Sequence, residues 1–256
     1  MHPDRHVDSS APICLVVGGV RNIGRAISTE LAETGATVIA ATSEAAPPDV
    51  PFSSVHLDVR DSGSLARVMS QVEAEHGRLD VLVYNSGVTG PAKAIDEISD
   101  EEWDETLAVN LTGFFRVCRD SLPLLRRALY GGRIIAISSI TGRRPLRHRA
   151  TYAATKLGLI GFVRSLALEV GPDHITVNTV SPGYVEGDRI HWVIEAQAEA
   201  EGTTVEEMRR RFVAHSPVGT FVAPESVARA VVFLADPASG DITGVDLNIS
   251  AGVWMD

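Results

Sequence analysis

The sequence predicts a doubly wound α/β fold, a parallel sheet with helices on both faces, and three observations predict it. Short apolar runs recur at Ile13–Val17, Thr37–Ala41, Val55–Leu57, Val81–Tyr84, Ile134–Ser138, Thr176–Val180 and Val245–Ile249. Stretches with helical spacing of apolar residues separate them, giving the alternation of a βαβ chain. A glycine-rich turn lies between the first run and the first helical stretch. At 256 residues the chain can bury a sizeable core, and no linker, internal repeat or low-complexity tract divides it. Residues 11–256 are therefore expected to form one catalytic domain.

Residues 1–10 are polar and lack the apolar segment of a secretion signal, which predicts a disordered tail. Ile13–Val17 is uninterruptedly apolar, as a parallel strand buried on both faces requires. Gly18-Gly19-Val20-Arg21-Asn22-Ile23-Gly24 follows it. Then Ala26, Ile27, Leu31 and Ala32 recur at helical spacing until Gly35 ends the pattern. This order of strand, turn and helix brings a phosphate to a helix amino terminus, where unpaired N–H groups and the helix dipole favour anions. Asn22 suits the turn because asparagine tolerates left-handed backbone angles. Near the carboxyl end, Ile190–Phe212 reads as helical, interrupted by Gly202-Thr203-Thr204.

Tyr152 and Lys156 stand four residues apart, which puts both side chains on one helix face. A free phenol titrates near pH ~10, and a cation one turn away favours its ionised form, tuning it for proton transfer. Ser139 lies thirteen residues before Tyr152. Taken alone, the Tyr-x-x-x-Lys pair is equally compatible with a chance pair on a helix surface; the glycine turn upstream gives it a context.

Together these residues resemble the short-chain dehydrogenase/reductase family, and within it the 3-oxoacyl-[acyl-carrier-protein] reductase-like members. The resemblance runs from about Ile13 to the carboxyl terminus. The family's Thr-Gly-x-x-x-Gly-x-Gly turn corresponds to Val17, Gly18, Asn22 and Gly24, with Val17 and Asn22 as departures. Asp58, followed by Val59, resembles the family aspartate beside the adenine ring. Asn85-Ser86-Gly87 resembles the family's Asn-Asn-Ala-Gly, with Tyr84 and Ser86 departing. Asn110 matches the asparagine that kinks a helix and holds a water near the catalytic lysine. Pro182-Gly183 matches the turn on the nicotinamide side, whereas Gly187 stands where the family often has threonine.

The resemblance implies a Rossmann fold with seven strands ordered 3-2-1-4-5-6-7, and a substrate lid over residues 188–215. It also implies a homotetramer built partly through helices around Glu101–Leu129 and Tyr152–Val170. Asn110, Ser139, Tyr152 and Lys156 become the catalytic tetrad. Ser139 and Tyr152 would hold a carbonyl oxygen, Tyr152 would give the proton, and Lys156 would bias Tyr152 and hold the nicotinamide ribose. Asn110 would link Lys156 to a proton relay through water. Ser138 is a rival to Ser139; the family offset to Tyr152 favours Ser139, and strand alternation lets only one of them face the site. Expected cofactor contacts come from Gly18, Arg21, Asn22, Ile23, Gly24, Thr42, Ser43, Asp58, Val59, Asn85, Ser86, Gly87, Tyr152, Lys156, Pro182, Gly183 and Val185.

Charge favours NADP(H) over NAD(H). The end of the second strand has no acid to accept the ribose 2′-OH, Glu44 comes slightly late, and Arg21, Thr42 and Ser43 could meet a 2′-phosphate. Arg143–Arg149 is a basic island between Ser139 and Tyr152, suited to an anionic substrate or to acids across a subunit interface. Arg147, Arg149, Tyr184 and Trp192 are the candidate substrate contacts, and His148 and His191 could also approach. The expected reaction is NADPH-dependent reduction of a ketone, a β-ketoacyl thioester or similar, small or carrier-bound. The alternatives are NAD-dependent oxidation of a secondary alcohol and a non-catalytic nucleotide sensor.

A net charge of −10 argues against nucleic acid, and no run approaches the ~20 apolar residues that span a bilayer. Cys14 and Cys118 fall in apolar patterns and read as reduced core residues of a cytoplasmic protein. The histidines are scattered, with His2 and His6 alone at helical spacing, so no metal is assigned.

Overall fold

Parallel pairing joins seven strands in the order β3-β2-β1-β4-β5-β6-β7. They are β1 (Ile13–Val17), β2 (Thr37–Thr42), β3 (Ser53–His56), β4 (Val81–Tyr84), β5 (Arg133–Ile137), β6 (Thr176–Pro182) and β7 (Asp246–Ile249). This computed structural model describes residues 11–44, 47 and 50–255; the tail expected over residues 1–10 lies outside them. The expected strands recur within a few residues. Only β3 is poorly marked by apolarity: it is an edge strand, and of its four residues three are exposed.

Among the described residues, eight α-helices connect and cover the sheet: α1 (Asn22–Glu33), α2 (Ser62–His76), α3 (Asp100–Leu107), α4 (Gly113–Leu125), α5 (Ala150–Val170), α6 (Asp188–Glu201), α7 (Val205–Ala214) and α8 (Pro224–Ala235). Alternation along β1 shows why both faces need cover. Ile13, Leu15 and Val17 join a core with residues of α2, α4 and α5. Cys14 and Val16 join the opposite core with residues of α1 and α8. Both cysteines are free and buried, and burial pushes both thiols up, so neither is a ready nucleophile.

Local chemistry sets the helix ends. Asp61 caps α2 by accepting the Gly63 N–H, and Gly77 ends that helix in the left-handed region. Ser99 and Glu102 form a reciprocal cap on α3. Thr204 accepts from Glu207 to start α7, just past the left-handed Gly202 that closes α6, as the interruption in the sequence pattern predicts. α6 and α7 carry a small apolar cluster of their own around Ile190, Ile194, Ala198 and Met208.

The α4–α5 side depends on one aromatic. Phe114 is fully buried, with its ring centroid 5.2 Å from both Tyr84 and Phe162. Phe114→Ala is expected to cost about 3–5 kcal/mol of stability, read as a lower midpoint in urea unfolding.

Candidate active site

The turn after β1 is shaped to admit a backbone-bound anion. Gly18 has φ +79° and Asn22 has φ +46°, so the asparagine occupies the left-handed conformation expected of it. A Cβ on Gly24 would run into the Gly18 carbonyl oxygen, and would lie 2.7 Å from Asn85 Nδ2. Arg21 precedes α1 with no side-chain cap, so the first-turn N–H groups there have no capping oxygen. Such a cradle, open only because side chains are missing, fits the pyrophosphate of a dinucleotide. Gly19 is a further requirement that the motif comparison passes over: a Cβ there would lie 2.7 Å from the Val16 carbonyl and 2.8 Å from Ser28 Oγ. Its signal in the sequence is the unbroken glycine pair.

At the end of β4, the Asn85 and Ser86 N–H groups donate to the Val17 carbonyl, and Asn85 Nδ2 donates to the Gly18 carbonyl at 2.8 Å. Asn85 thus braces the turn from the neighbouring strand. Asp58 accepts from Arg60 Nε at 3.0 Å and Nη2 at 2.8 Å, and these bonds hold its carboxyl below the usual range. Any adenine contact must share a carboxylate already engaged by Arg60.

The chain from α3 to α4 passes through a π-helical turn, Ala108–Thr112, with Asn110 at its centre. Asn110 is fully buried. Its Oδ1 accepts from Val88 N at 2.8 Å, and its Nδ2 donates to Val88 O at 2.9 Å and Thr155 Oγ1 at 3.1 Å. It clamps the loop after β4 to α5. Tyr84, buried beneath this turn, donates its hydroxyl to the Val109 carbonyl. That contact gives the departure at Tyr84 a structural role, holding a main-chain carbonyl in an irregular turn.

Lys156 is 4% exposed, and its ammonium donates to the Ile137 carbonyl at 2.8 Å, two residues before Ser139. The same nitrogen lies 5.6 Å from the centre of the Tyr152 ring. Burial lowers the lysine from its usual range, Tyr152 pulls it back up, and Arg189 lowers it further. Gly87 closes the group: a Cβ there would lie 3.3 Å from Asn110 Oδ1 and 3.6 Å from Lys156 Nζ.

The two serines have different surroundings. Ser138 is buried and donates its hydroxyl to the Lys156 carbonyl at 2.9 Å, bracing α5. Ser139 is half-buried, and its Oγ accepts from Thr141 N at 3.1 Å, which leaves its proton free to donate.

Arg21 and Glu44 correct the charge argument. Glu44 follows β2, yet its Oε2 lies 3.1 Å from Arg21 Nε, so the arginine facing the expected 2′-phosphate has an acidic partner. Thr42 is buried and its Oγ1 accepts from Glu44 N at 3.1 Å, while Ser43 is exposed. At the other end, Gly183 donates to Ile249 O at 3.0 Å, and Val185 bridges to Val222. Gly187 has φ +141° and ψ 179°, a region open essentially to glycine alone. A threonine in this conformation would be strained, and a Cβ at Gly187 would lie 3.8 Å from Asn22 Oδ1.

The basic island divides. Arg143 pairs with buried Asp246 at 2.8 Å and stacks on Trp254, and Arg144 donates to Val253 O at 3.2 Å. These two bind the chain's own carboxyl-terminal segment, so the expectation that the whole island faces substrate or a partner is revised. Arg149 stacks on Tyr152, and Arg147 and His148 are exposed. Trp192 is 64% exposed on α6, Tyr184 packs on Phe212, and His191 meets Glu186. Of the candidate substrate contacts, Arg149 lies against a member of the tetrad.

The family model described as enoyl-(acyl carrier protein) reductase matches residues 18–254. The chain is 36% identical over 250 residues to the 3-oxoacyl-[acyl-carrier-protein] reductase FabG of Escherichia coli (strain K12), covering 95% of this chain and 97% of that one. The chain belongs to the short-chain dehydrogenase/reductase family. Solved structures of related proteins superpose closely. A single-substitution variant of the actinorhodin polyketide ketoreductase, with NADPH, gives a TM-score of 0.88 at 32% identity, covering 96% of this chain and 98% of that one. The ligand-free aldohexose dehydrogenase of Thermoplasma acidophilum gives 0.89 at 26%, covering 96% and 95%. As a short-chain dehydrogenase/reductase, the chain is an NAD(P)-dependent oxidoreductase, and its single sheet with helices on both faces is the Rossmann-type fold of the family. Among the described residues, no helix is long and apolar enough to cross a membrane.

Proposed function

We propose that this protein is an NADPH-dependent ketoreductase that reduces a β-ketoacyl thioester or similar ketone to a secondary alcohol, with Tyr152 as proton donor. One observation carries the reading: Lys156 is held by the carbonyl of Ile137 on the strand leading to Ser139, and lies beside both the Tyr152 ring and Gly87 in the loop after β4. When bound, the dinucleotide supplies the hydride. Ser139, whose oxygen already accepts from the backbone, donates a hydrogen bond to the substrate oxygen. Tyr152 donates a second hydrogen bond and transfers its proton as that oxygen gains charge, the point at which such donors act most strongly. Lys156 brings a positive charge to the phenol and offers donors to the nicotinamide ribose. Asn110 fixes the backbone of Val88 and the position of α5, and a water beside it would extend the proton path.

The relatives support a carrier-bound β-ketoacyl substrate, since FabG is named for that reaction. NADPH is favoured by the NADPH-bound ketoreductase neighbour, and by Arg21 to the extent that a 2′-phosphate draws it from Glu44. Exposed Phe115 on α4 and Leu157 and Leu168 on α5 support the homotetramer, which light scattering would test. A cytoplasmic location fits this chemistry. A second reading, NAD-dependent alcohol oxidation, gains from Glu44, whose carboxylate could accept a ribose 2′-OH and repel a 2′-phosphate.

Fluorescence titration with NADPH and NADH, followed by oxidation rates with an acetoacetyl thioester, tests the proposal. Tighter NADPH binding with turnover is expected. Preference for NADH points to the dehydrogenase, and binding without turnover on a broad carbonyl panel points to the nucleotide sensor. Because Glu44 competes for Arg21, Glu44→Gln is expected to raise the NADPH-to-NADH affinity ratio several-fold, about 1 kcal/mol, with a steeper salt dependence for NADPH. An unchanged ratio would remove Glu44 from cofactor choice.

A further inference from the structure

Arg149 is an unusual neighbour for Tyr152. It sits just before α5 and makes no side-chain cap. Its guanidinium carbon lies 5.0 Å from the centre of the Tyr152 ring, and the residue is half-buried. Among the described residues no carboxylate pairs with it, in contrast to Arg143, which holds Asp246. The charges that reach it come from the Tyr152 phenol and from Arg189, in the first turn of α6. Arg149 therefore stands against the tetrad tyrosine with no anion paired to it among the described residues.

A half-buried guanidinium gives up hydration that only a partner restores, and its planar fork matches a carboxylate with two parallel hydrogen bonds. The phosphates of a dinucleotide belong to the Gly18–Gly24 turn, whereas Arg149 comes from the segment that joins Ser139 to α5. We propose that Arg149 forms a carboxylate-binding subsite beside Tyr152, which selects ketones carrying an anionic group a few bonds from the carbonyl. The inference rests on reading Tyr152 as the residue that meets the substrate carbonyl.

The experiment compares reduction of 3-oxohexanoate with that of its neutral ethyl ester, using wild type and Arg149→Gln. The variant is expected to lose at least ~tenfold more kcat/KM on the acid than on the ester, mainly through KM, as the loss of a charge-assisted bond predicts. Equal losses on both ketones would mean that Arg149 only supports the Tyr152 ring, and would overturn the subsite. Weaker NADPH binding without discrimination between the ketones would reassign Arg149 to the cofactor and also overturn it. If wild type reduces neither ketone, turnover of the acetoacetyl thioester decides the ketoreductase reading, and calorimetric titration with butyrate still reads the subsite. Binding to wild type that is lost in Arg149→Gln supports it, and no binding to wild type overturns it.

Discussion

Tyr152→Phe is expected to abolish nearly all turnover while leaving nucleotide binding intact. The substitution removes one oxygen and keeps the ring, so the contacts to the Lys156 ammonium at 5.6 Å and the Arg149 guanidinium at 5.0 Å survive. No hydrogen bond to another part of the fold is lost through that hydroxyl among the described residues, because the residue's carbonyl, not its phenol, accepts from Thr155. What disappears is the proton donor and one of two bonds to the substrate oxygen. A positioned acid contributes about 10²–10⁴-fold, so kcat should fall by that factor or more. Stopped-flow turnover beside an NADPH titration separates the two effects. Retention of more than a tenth of the wild-type kcat would require a different proton donor.

Gly24→Ala is expected to be the most damaging change in the nucleotide cradle. The new Cβ meets the Gly18 carbonyl oxygen and the Asn85 carboxamide, and both are fixed, the first by the turn and the second by β4. Relief requires α1 to draw back from the turn. Overpacking of this kind costs about 1–3 kcal/mol and occasionally more. The same displacement moves the first-turn N–H groups away from the phosphates, so dinucleotide affinity should drop by ~100-fold or more. Gly35→Ala serves as the comparison, since a Cβ there meets nothing within 4 Å, although its φ of +89° makes it strained. If Gly24→Ala binds NADPH as wild type does, the phosphates do not sit on this turn.

The sequence made legible whatever depends on neighbours along the chain. β1, the glycine turn and α1 follow from apolarity and spacing over a few residues, and Tyr152 and Lys156 meet because one helical turn stacks them. Pairings across long separations could not be read in this way. Arg143 finds Asp246 across more than a hundred residues, and nothing in the basic island announces that this arginine already has its acid. Glu44 lies beyond the end of β2, and only the path of the loop brings it to Arg21. Tyr84 looks like a departure from a motif until its hydroxyl is seen to satisfy the carbonyl of Val109. Gly187 looks like a lost cofactor contact, but its backbone angles show that the loop takes a course that would strain a threonine.

The capture of Arg143 and Arg144 by Asp246, Trp254 and Val253 bears on how the protein is handled. The last residues are bolted to the segment that leaves Ser139, so they form part of the same mechanical unit as the reaction centre. An affinity tag fused to that end would pull on the segment just after Ser139. The amino-terminal side of β1 is the safer place for a tag or a surface tether.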